Sequence, residues 1–356
     1  MAQRLLRRGE ARSDTVGPHR FALAALVLAG LTLSACGSFS ATSSHAQSVV
    51  AHPTHLQGFG AHVVVGCRSE RDCFASGDTA SGLPIYYQFN GSWKKTTPPG
   101  PLKQTSFVDS AISCWNNVEC SFAGGGDVAF LTPSGWTSSV PSGLITTIGV
   151  SCLHLQPTSR FAGDFCAAVD EQGEASFYVN GQWSSLGRVD PYGTNYGDNQ
   201  AVDGVACGLS YLTYEPLCFG YDNSGHIFTI SGDQTSSPVE LTSLSDPLVS
   251  GSCSDSTCIL LDARGTSYFF SEGSWTVHSS PKVTAISCSV TSIVCFGATK
   301  DGVVTSTAGG RWLLAVAADV DWRAKPPNSI SCVERRCVAA NANNILFSVI
   351  LPKKTT

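Results

Sequence analysis

Short apolar segments, separated by small polar turns, recur along almost the whole chain. Typical segments are PIYYQFN at 84–90 and TSYFFSE at 266–272, rich in β-branched and aromatic residues. Such segments predict β-strands, and the Asp/Gly turns near them, such as 170–173 and 222–225, are typical of closed hairpins. Apart from the N-terminal leader, no long segment has apolar residues at helical spacing. The pattern therefore predicts an all-β protein.

Composition supports this prediction. Charged residues make up 14% of the 356 residues, well below the usual level of about 25%. The chain also contains 35 glycines and 15 cysteines. Low charge and abundant Gly favour many short strands with tight turns, and this number of cysteines favours an oxidising compartment.

Fourteen of the cysteines form seven close pairs. The first cysteines of successive pairs lie 35 to 55 residues apart, with a mean of about 44, the period of a four-stranded propeller blade. The predicted disulfides are Cys67–Cys73, Cys114–Cys120, Cys152–Cys166, Cys207–Cys218, Cys253–Cys258, Cys288–Cys295 and Cys332–Cys337.

The sequence around each pair repeats as well. A small residue always precedes the first cysteine, short apolar runs follow the second, and five repeats end on a Gly and a Trp. Each repeat therefore predicts four strands, A to D, with the two cysteines facing each other across the A–B hairpin. Opposed Cα atoms of an antiparallel pair are close enough for a disulfide. We expect the tryptophans to pack between blades.

Metal and redox interpretations of the cysteines are weaker. The spacers between paired cysteines hold four to thirteen residues, so there is neither a CxxC knuckle nor a redox CxxC motif. Only His154 and His226 lie near any pair. Pairing within each repeat is the simplest interpretation, although sequence alone does not prove connectivity.

Seven four-stranded repeats predict a seven-bladed β-propeller, with a linear β-solenoid as the alternative. The seventh repeat lacks its D strand, and we expect residues 47–52 to supply it and close the ring. The propeller then spans 47–356. Its blade cores are predicted near 60–100, 105–140, 145–188, 200–245, 248–280, 282–322 and 328–351.

Over residues 60–356 these repeats resemble the disulfide-bearing propeller repeats of secreted and lipid-anchored actinobacterial proteins, often called sialidase-like or WD-repeat-like. The resemblance is carried by ISC, the second cysteine, the Asp/Asn–Gly turn and Gly-x-Trp, as in Gly91-Ser92-Trp93. It departs from true Asp-boxes, of which only Gly-x-Trp remains. It implies the fold, and leaves the function open.

The N-terminus predicts export and lipidation. Five arginines precede the 13-residue apolar stretch 21–33, which fits a secretory signal over residues 1–35. Residues 33–36, LSAC, resemble the lipobox of bacterial lipoproteins, which implies a lipid on Cys36. The Ser-rich segment 36–46 reads as a flexible tether. We therefore expect a monomer on the outer face of the cytoplasmic membrane, at the cell surface.

No catalytic constellation emerges from the sequence. There is no GxSxG elbow, no HExxH and no phosphate loop, and no cofactor is expected. Five arginines fall in A–B turns, where solvated side chains are usual, so a sialidase arginine triad is not expected. We do not favour metal binding by His52 and His55. We also do not favour calcium binding by Asp190, Asp198 and Asp203. Removing the leader leaves a net charge of −8, which argues against nucleic acid.

Departures from the repeat point to recognition. The D–A connections 188–203 and 318–329 and the A–B loops 153–165 and 208–217 are enlarged. The candidate ligand-binding residues are Tyr192, Tyr196, Asp198, Asp321, Trp322 and Arg323. The sequence favours a non-catalytic binding or scaffold propeller that recognises an envelope protein or a glycan. The alternative is a glycan-active hydrolase or lyase of sialidase-like fold that uses loop carboxylates near the central channel.

Overall fold

A computed structural model describes ten stretches of the chain, and all statements about structure concern these. They are 52–60, 63–97, 111–116, 119–156, 159–191, 202–241, 246–279, 281–288, 294–307 and 310–352. Within these stretches the regular secondary structure is β-strand, as predicted, apart from one five-residue helix, α1 (Val320–Ala324). Among the described residues, no helix has the length and apolar character that a membrane span requires.

The strands form seven antiparallel sheets, one for each predicted repeat. The first three blades are β2–β5 (Val63–Ser69, Asp72–Asp78, Pro84–Phe89, Trp93–Thr96), β6–β9 (Ala111–Cys114, Cys120–Gly124, Asp127–Thr132, Gly135–Ser139) and β10–β13 (Thr147–Leu155, Gly163–Asp170, Glu174–Val179, Gln182–Arg188). Blade 4 is β14–β18 (Val202–Leu209, Pro216–Asp222, His226–Ser231, Gln234–Thr235, Val239–Glu240). Blades 5 and 6 are β19–β22 (Leu248–Cys253, Cys258–Asp262, Ser267–Ser271, Ser274–His278) and β23–β26 (Ala285–Cys288, Cys295–Thr299, Gly302–Ser306, Trp312–Ala317). Blade 7 is β27–β29 (Ser329–Val333, Arg336–Ala340, Ile345–Ile350) with β1 (His52–His55).

The A strands line the axis of a closed ring. Each A strand packs against the A strand of the next blade, and β27 of blade 7 packs against β2 of blade 1. The prediction of a seven-bladed propeller with four-stranded blades is therefore confirmed, and the solenoid is excluded.

An N-terminal strand closes the ring, as predicted. Strand β1, His52–His55, pairs with β29 from His52 opposite Ser348 to His55 opposite Ile345. Residues 47–51 of the predicted strand 47–52 lie outside the described residues, so their part in the closure stays a prediction. Leu56 and Phe59 are buried directly after the strand and fix its position.

All seven predicted disulfides are present. In each blade the two cysteines occupy directly opposed positions of the A–B ladder, as Cys152 and Cys166 do in blade 3. The staples therefore fix the strands that surround the axis, and each one tethers an A strand to the strand behind it.

Tryptophans at the blade edges pack against the preceding blade, as predicted. Trp136 of blade 2 contacts Phe74 of blade 1, and the Trp312 indole of blade 6 donates to Ser267 Oγ of blade 5 at 3.0 Å. Blade 4 has no tryptophan in its outer strand, which is broken into β17 and β18 around Pro238. Proline has no N–H to donate to a ladder, which accounts for the interruption.

Buried carboxylates hold the B–C turns together. The Asp170 Oδ1 atom accepts hydrogen bonds from the backbone N–H groups of Gln172 and Glu174 at 3.0 and 2.9 Å. Asp222 and Asp262 do the same in blades 4 and 5. These aspartates, which could be mistaken for catalytic groups, are turn acceptors.

Candidate binding surfaces and the axial channel

The residue before each first cysteine forms a bond between blades. In five blades this residue is a serine, and its Oγ accepts a hydrogen bond from the backbone N–H of the first cysteine in the next blade, at 2.9 to 3.1 Å. The five acceptors are Ser113, Ser151, Ser252, Ser287 and Ser331. We call these residues the serine ring. The ring explains why the sequence repeats a small polar residue at this position.

Two blades lack the hydroxyl. Gly66 takes the position in blade 1 because an added Cβ would lie 2.3 Å from a methyl group of Ile112 in blade 2. Blade 4 has Ala206 there, which supplies no acceptor to the Cys253 N–H. The inner ring is therefore held by five repeated bonds rather than seven.

The axial channel contains a cavity near each end. The cavity on the A–B side has a volume of about 220 Å³ and is lined by the first cysteine of each disulfide together with Arg68, Asn116 and Glu334. The cavity on the D–A side has a volume of about 440 Å³ and is lined in part by Glu171 and Asp203. Burial raises the pKa of Tyr221, which also lines this cavity and lies near Asp203. The larger cavity is thus the acidic one.

The A–B arginines serve structural contacts. The Arg68 guanidinium pairs with Asp72 at 2.5 Å, and Arg335 donates to the backbone oxygen of Leu351. Arg336 stacks over Phe89 with 4.3 Å between the guanidinium carbon and the ring centroid, and burial lowers its pKa. The expectation of solvated side chains is therefore wrong for Arg336. The guanidinium groups of these three arginines are engaged in contacts at hairpin ends and between blades. They therefore do not form a carboxylate-binding triad.

Trp322 is buried, so the expectation that it rims an exposed recognition face is wrong. Only 1% of its surface is accessible. Its indole N–H donates to the Thr299 carbonyl in blade 6 at 2.7 Å, and its ring packs against Phe347 in blade 7. The insertion 318–329 forms helix α1, which Asp319 caps by accepting from the Trp322 N–H. Trp322 therefore packs between blades 6 and 7.

Two of the other predicted recognition residues lie within the described structure. Asp321 and Arg323 are exposed on α1. Tyr192, Tyr196 and Asp198 lie outside the described residues, so their role stays a prediction. Of the possible calcium ligands, Asp190 is fully buried and Asp203 is exposed on β14.

Among the described residues, the most exposed large apolar side chain is Leu212 in blade 4. The A–B loop 208–217 presents Tyr211, Leu212 and Tyr214 with 55%, 85% and 70% of their surfaces accessible. The sequence marked this loop as enlarged, but the candidate ligand-binding residues were placed in the D–A connections. The run Tyr-Leu-Thr-Tyr at 211–214, within an enlarged loop, is the sequence signal that could have indicated this surface.

This loop is fixed by bonds within it and by its neighbours. The Ser210 N–H donates to the Glu215 carbonyl and the Tyr214 N–H donates to the Ser210 carbonyl, both at 2.8 Å. Arg160 of the neighbouring A–B loop pairs with Glu215 at 3.1 Å and with Asp233 at 3.3 Å. These bonds preorganise the tip, and a preorganised surface loses less conformational entropy on binding than a flexible one does.

A second feature on the A–B side is a cluster of possible metal ligands. Glu119, His154 and Asp164 each direct a ligand atom to one place, and these atoms lie within 4.8 Å of one another. The His154 Nδ1 atom is 2.9 Å from Asp164 Oδ1. The sequence did not predict this cluster.

Comparison with known proteins supports the fold. No protein-family model and no curated protein matches the chain. Virginiamycin B lyase from Staphylococcus aureus is similar in structure, with a TM-score of 0.61 and 9% identity over 85% of this chain and 99% of the lyase. BBS1N, crystallised with ARL6DN, gives 0.58 and 11% over 86% and 97%, and YCF48 bound to a peptide gives 0.55 and 12% over 84% and 94%. At these identities the likeness shows the propeller fold alone.

Proposed function

We propose that this protein is a non-catalytic binding propeller, held at the outer face of the cytoplasmic membrane by a lipid on Cys36, that captures an envelope protein through its A–B face. One observation carries the proposal. The loop 208–217 is rigid, and it exposes Tyr211, Leu212 and Tyr214 to solvent. Tyrosine is enriched at protein interfaces, where its large ring adds contact area at a low cost in entropy.

A protein partner fits this tip better than a glycan does. Glycan sites combine an aromatic face with converging polar groups, whereas this tip places Leu212, with no polar atom in its side chain, at its most exposed point. Structurally similar propellers have been solved with a peptide or a protein partner. Those partners belong to those proteins, and they support only the general use of the fold in binding.

Binding can be tested with a loop variant and a matched control. The loop variant carries Tyr211→Ser, Leu212→Ser and Tyr214→Asn, because Tyr214 has a φ of +54° and Asn tolerates the left-handed region. The control is Leu313→Ser, since Leu313 is similarly exposed, at 54%, on the outer strand β26. We expect the loop variant to weaken binding to the isolated envelope partner by at least tenfold, with unchanged binding by the control. Equal binding by both variants would refute this surface.

Anchoring has its own test. Cys36→Ser should abolish incorporation of a labelled fatty acid and release the protein from the membrane fraction. Continued labelling of the variant would show that Cys36 is not the lipid site, without affecting the test of the loop.

The acidic cavity supports a second candidate, a hydrolase or lyase acting on glycans. Glu171 and Asp203 line the same 440 Å³ cavity on the D–A side, and a pair of carboxylates is what most glycosidases use. Turnover of a cell-wall glycan that Glu171→Gln and Asp203→Asn each abolish would favour this candidate. No turnover with an intact loop-dependent interaction would favour the binding protein.

A further inference from the structure

We propose that Glu119, His154 and Asp164 form a site for a divalent transition-metal ion of the Zn²⁺ class at the seam between blades 2 and 3. The three residues come from two repeats. Glu119 lies in the A–B turn of blade 2, while His154 and Asp164 lie on β10 and β11 of blade 3. Their ligand atoms lie within 4.8 Å of one another.

Strand pairing and disulfides hold the backbone that carries the three ligands. His154 and Asp164 occupy directly opposed positions, two residues beyond the opposed pair Cys152 and Cys166 in the same ladder. Glu119 immediately precedes Cys120, which is bonded to Cys114. Two disulfides therefore flank the three ligands, and binding an ion costs little ordering of the backbone.

Both carboxylates are oriented by neighbouring donors. The buried Trp115 indole donates to Asp164 Oδ1 at 3.1 Å, and the Asn116 amide donates to Glu119 Oε2. The Asn116 side-chain oxygen also accepts the Glu119 N–H. Metal sites use outer groups of this kind to fix their first ligands, and removal of such a group costs about 10- to 100-fold in metal affinity.

The geometry suits a small ion with a nitrogen ligand. Tetrahedral Zn²⁺ with bonds of about 2.0 to 2.2 Å needs ligand atoms about 3.4 Å apart, close to the 2.9 Å between His154 Nδ1 and Asp164 Oδ1. The ion would take the place of the proton that these two atoms share. Glu119 then closes in by a rotation of its half-buried side chain. Ca²⁺ and Mg²⁺ prefer all-oxygen sites, so the imidazole selects against them.

The site is open to solvent. The His154 and Asp164 side chains are 55% and 34% accessible, so an ion can enter without opening the fold. Three protein ligands leave a fourth tetrahedral position for water. This inference is independent of the proposed binding role of loop 208–217, since it concerns other residues.

Titration of the chelator-stripped full chain with ZnCl₂ tests the proposal. We expect one ion per chain with a Kd in the micromolar range or below, no comparable binding of CaCl₂, and visible absorption bands of a four- or five-coordinate site with Co²⁺. His154→Ala and Glu119→Gln should each weaken Zn²⁺ binding at least tenfold and remove the Co²⁺ bands. Trp115→Phe, which keeps an aromatic side chain but removes the indole N–H, should weaken Zn²⁺ binding about tenfold.

His226→Ala is the matched control. The His226 Nδ1 atom lies 2.9 Å from a carboxylate oxygen of Asp222, the same separation as in the proposed site, but the described residues bring no third ligand to that pair. Zn²⁺ binding should survive this substitution. Stripped wild-type protein that binds no Zn²⁺, or binding that His154→Ala leaves unchanged, would overturn the proposal and leave a hydrogen-bonded network instead. An equal loss of Zn²⁺ binding in His226→Ala and His154→Ala would overturn the proposal as well.

Discussion

The contribution of the serine ring to stability can be tested one hydrogen bond at a time. Ser151→Ala removes the Oγ acceptor that lies 3.0 Å from the Cys207 N–H and leaves a partly buried backbone donor without it. A typical hydrogen bond contributes about 0.5–1.5 kcal/mol net, and an orphaned buried donor costs about 1–3 kcal/mol. Because the Cys207 N–H is only partly buried, we expect a loss of about 1 kcal/mol in the free energy of unfolding.

The two exceptions in the ring provide the reverse experiment. Ala206→Ser places a hydroxyl where the Cys253 N–H lacks this acceptor and should stabilise the protein by about 0.5–1.5 kcal/mol. Gly66→Ser should instead destabilise it, because the new Cβ would lie 2.3 Å from the Ile112 side chain.

Urea unfolding under non-reducing conditions measures both effects. The slope of the transition should not change, since no variant alters the surface that unfolding exposes. Ser138→Ala, on the exposed face of β9, is the control and should stay within about 0.5 kcal/mol of wild type. If Ser151→Ala matches this control, or if Ala206→Ser destabilises the protein, the ring does not hold the blades together as described.

Three further predictions concern single features. Trp322→Ala should cost about 3–5 kcal/mol in urea unfolding, the range for a buried aromatic; a cost below about 0.5 kcal/mol would mean that Trp322 is exposed after all. Replacing Cys152 and Cys166 together by Ser should cost about 3 kcal/mol, as expected for a closed loop of this length with a sequence separation of 14 residues, and an unchanged midpoint would contradict a structural disulfide. Burial raises the pKa of Asp170 above its ordinary value of 3.8. The stability that the protonated Asp170 side chain contributes is therefore fully present below pH 3.8, and it is lost as the pH rises through the pKa of Asp170 in the folded protein. The stability of wild type minus that of Asp170→Asn should therefore fall between pH 3 and neutrality, and a rise would give the opposite sign for the shift.

Local repetition made the fold predictable. Paired cysteines, small residues and turn aspartates repeat with the blade, so the A–B ladder and its disulfides follow from neighbours along the chain. The tryptophans followed the same logic, because an edge residue that recurs in five repeats meets the same neighbouring blade each time.

Features that depend on distant residues could not be predicted. The sequence shows only that a small residue precedes each first cysteine. That five of these residues are serines accepting a hydrogen bond becomes visible only when the next blade is in place. Trp322 lies in an insertion, where exposure is the usual expectation, but the seam between blades 6 and 7 buries it. His154 and Asp164 face each other because of the ladder register, and Glu119 joins them only when two blades pack.

The closing strand extends further than its sequence pattern indicates. The segment 47–52 carries the β-branched residues that favour a strand, while HPTH at 52–55 does not. Strand β1 nevertheless includes His55, because Leu56 and Phe59 are buried just beyond it and the Leu56 N–H donates to the Asn344 carbonyl. These contacts are made with distant residues, so strand propensity alone did not predict them.

Site-specific photo-crosslinking in living cells tests the proposed function most directly. A photoreactive phenylalanine analogue at position 212, at the tip of loop 208–217, should yield one dominant adduct with an envelope protein. The same analogue at position 313, which is also exposed on β26, should not yield that adduct. A shared pattern of adducts at both positions, or none at position 212, would contradict a binding role for the A–B face.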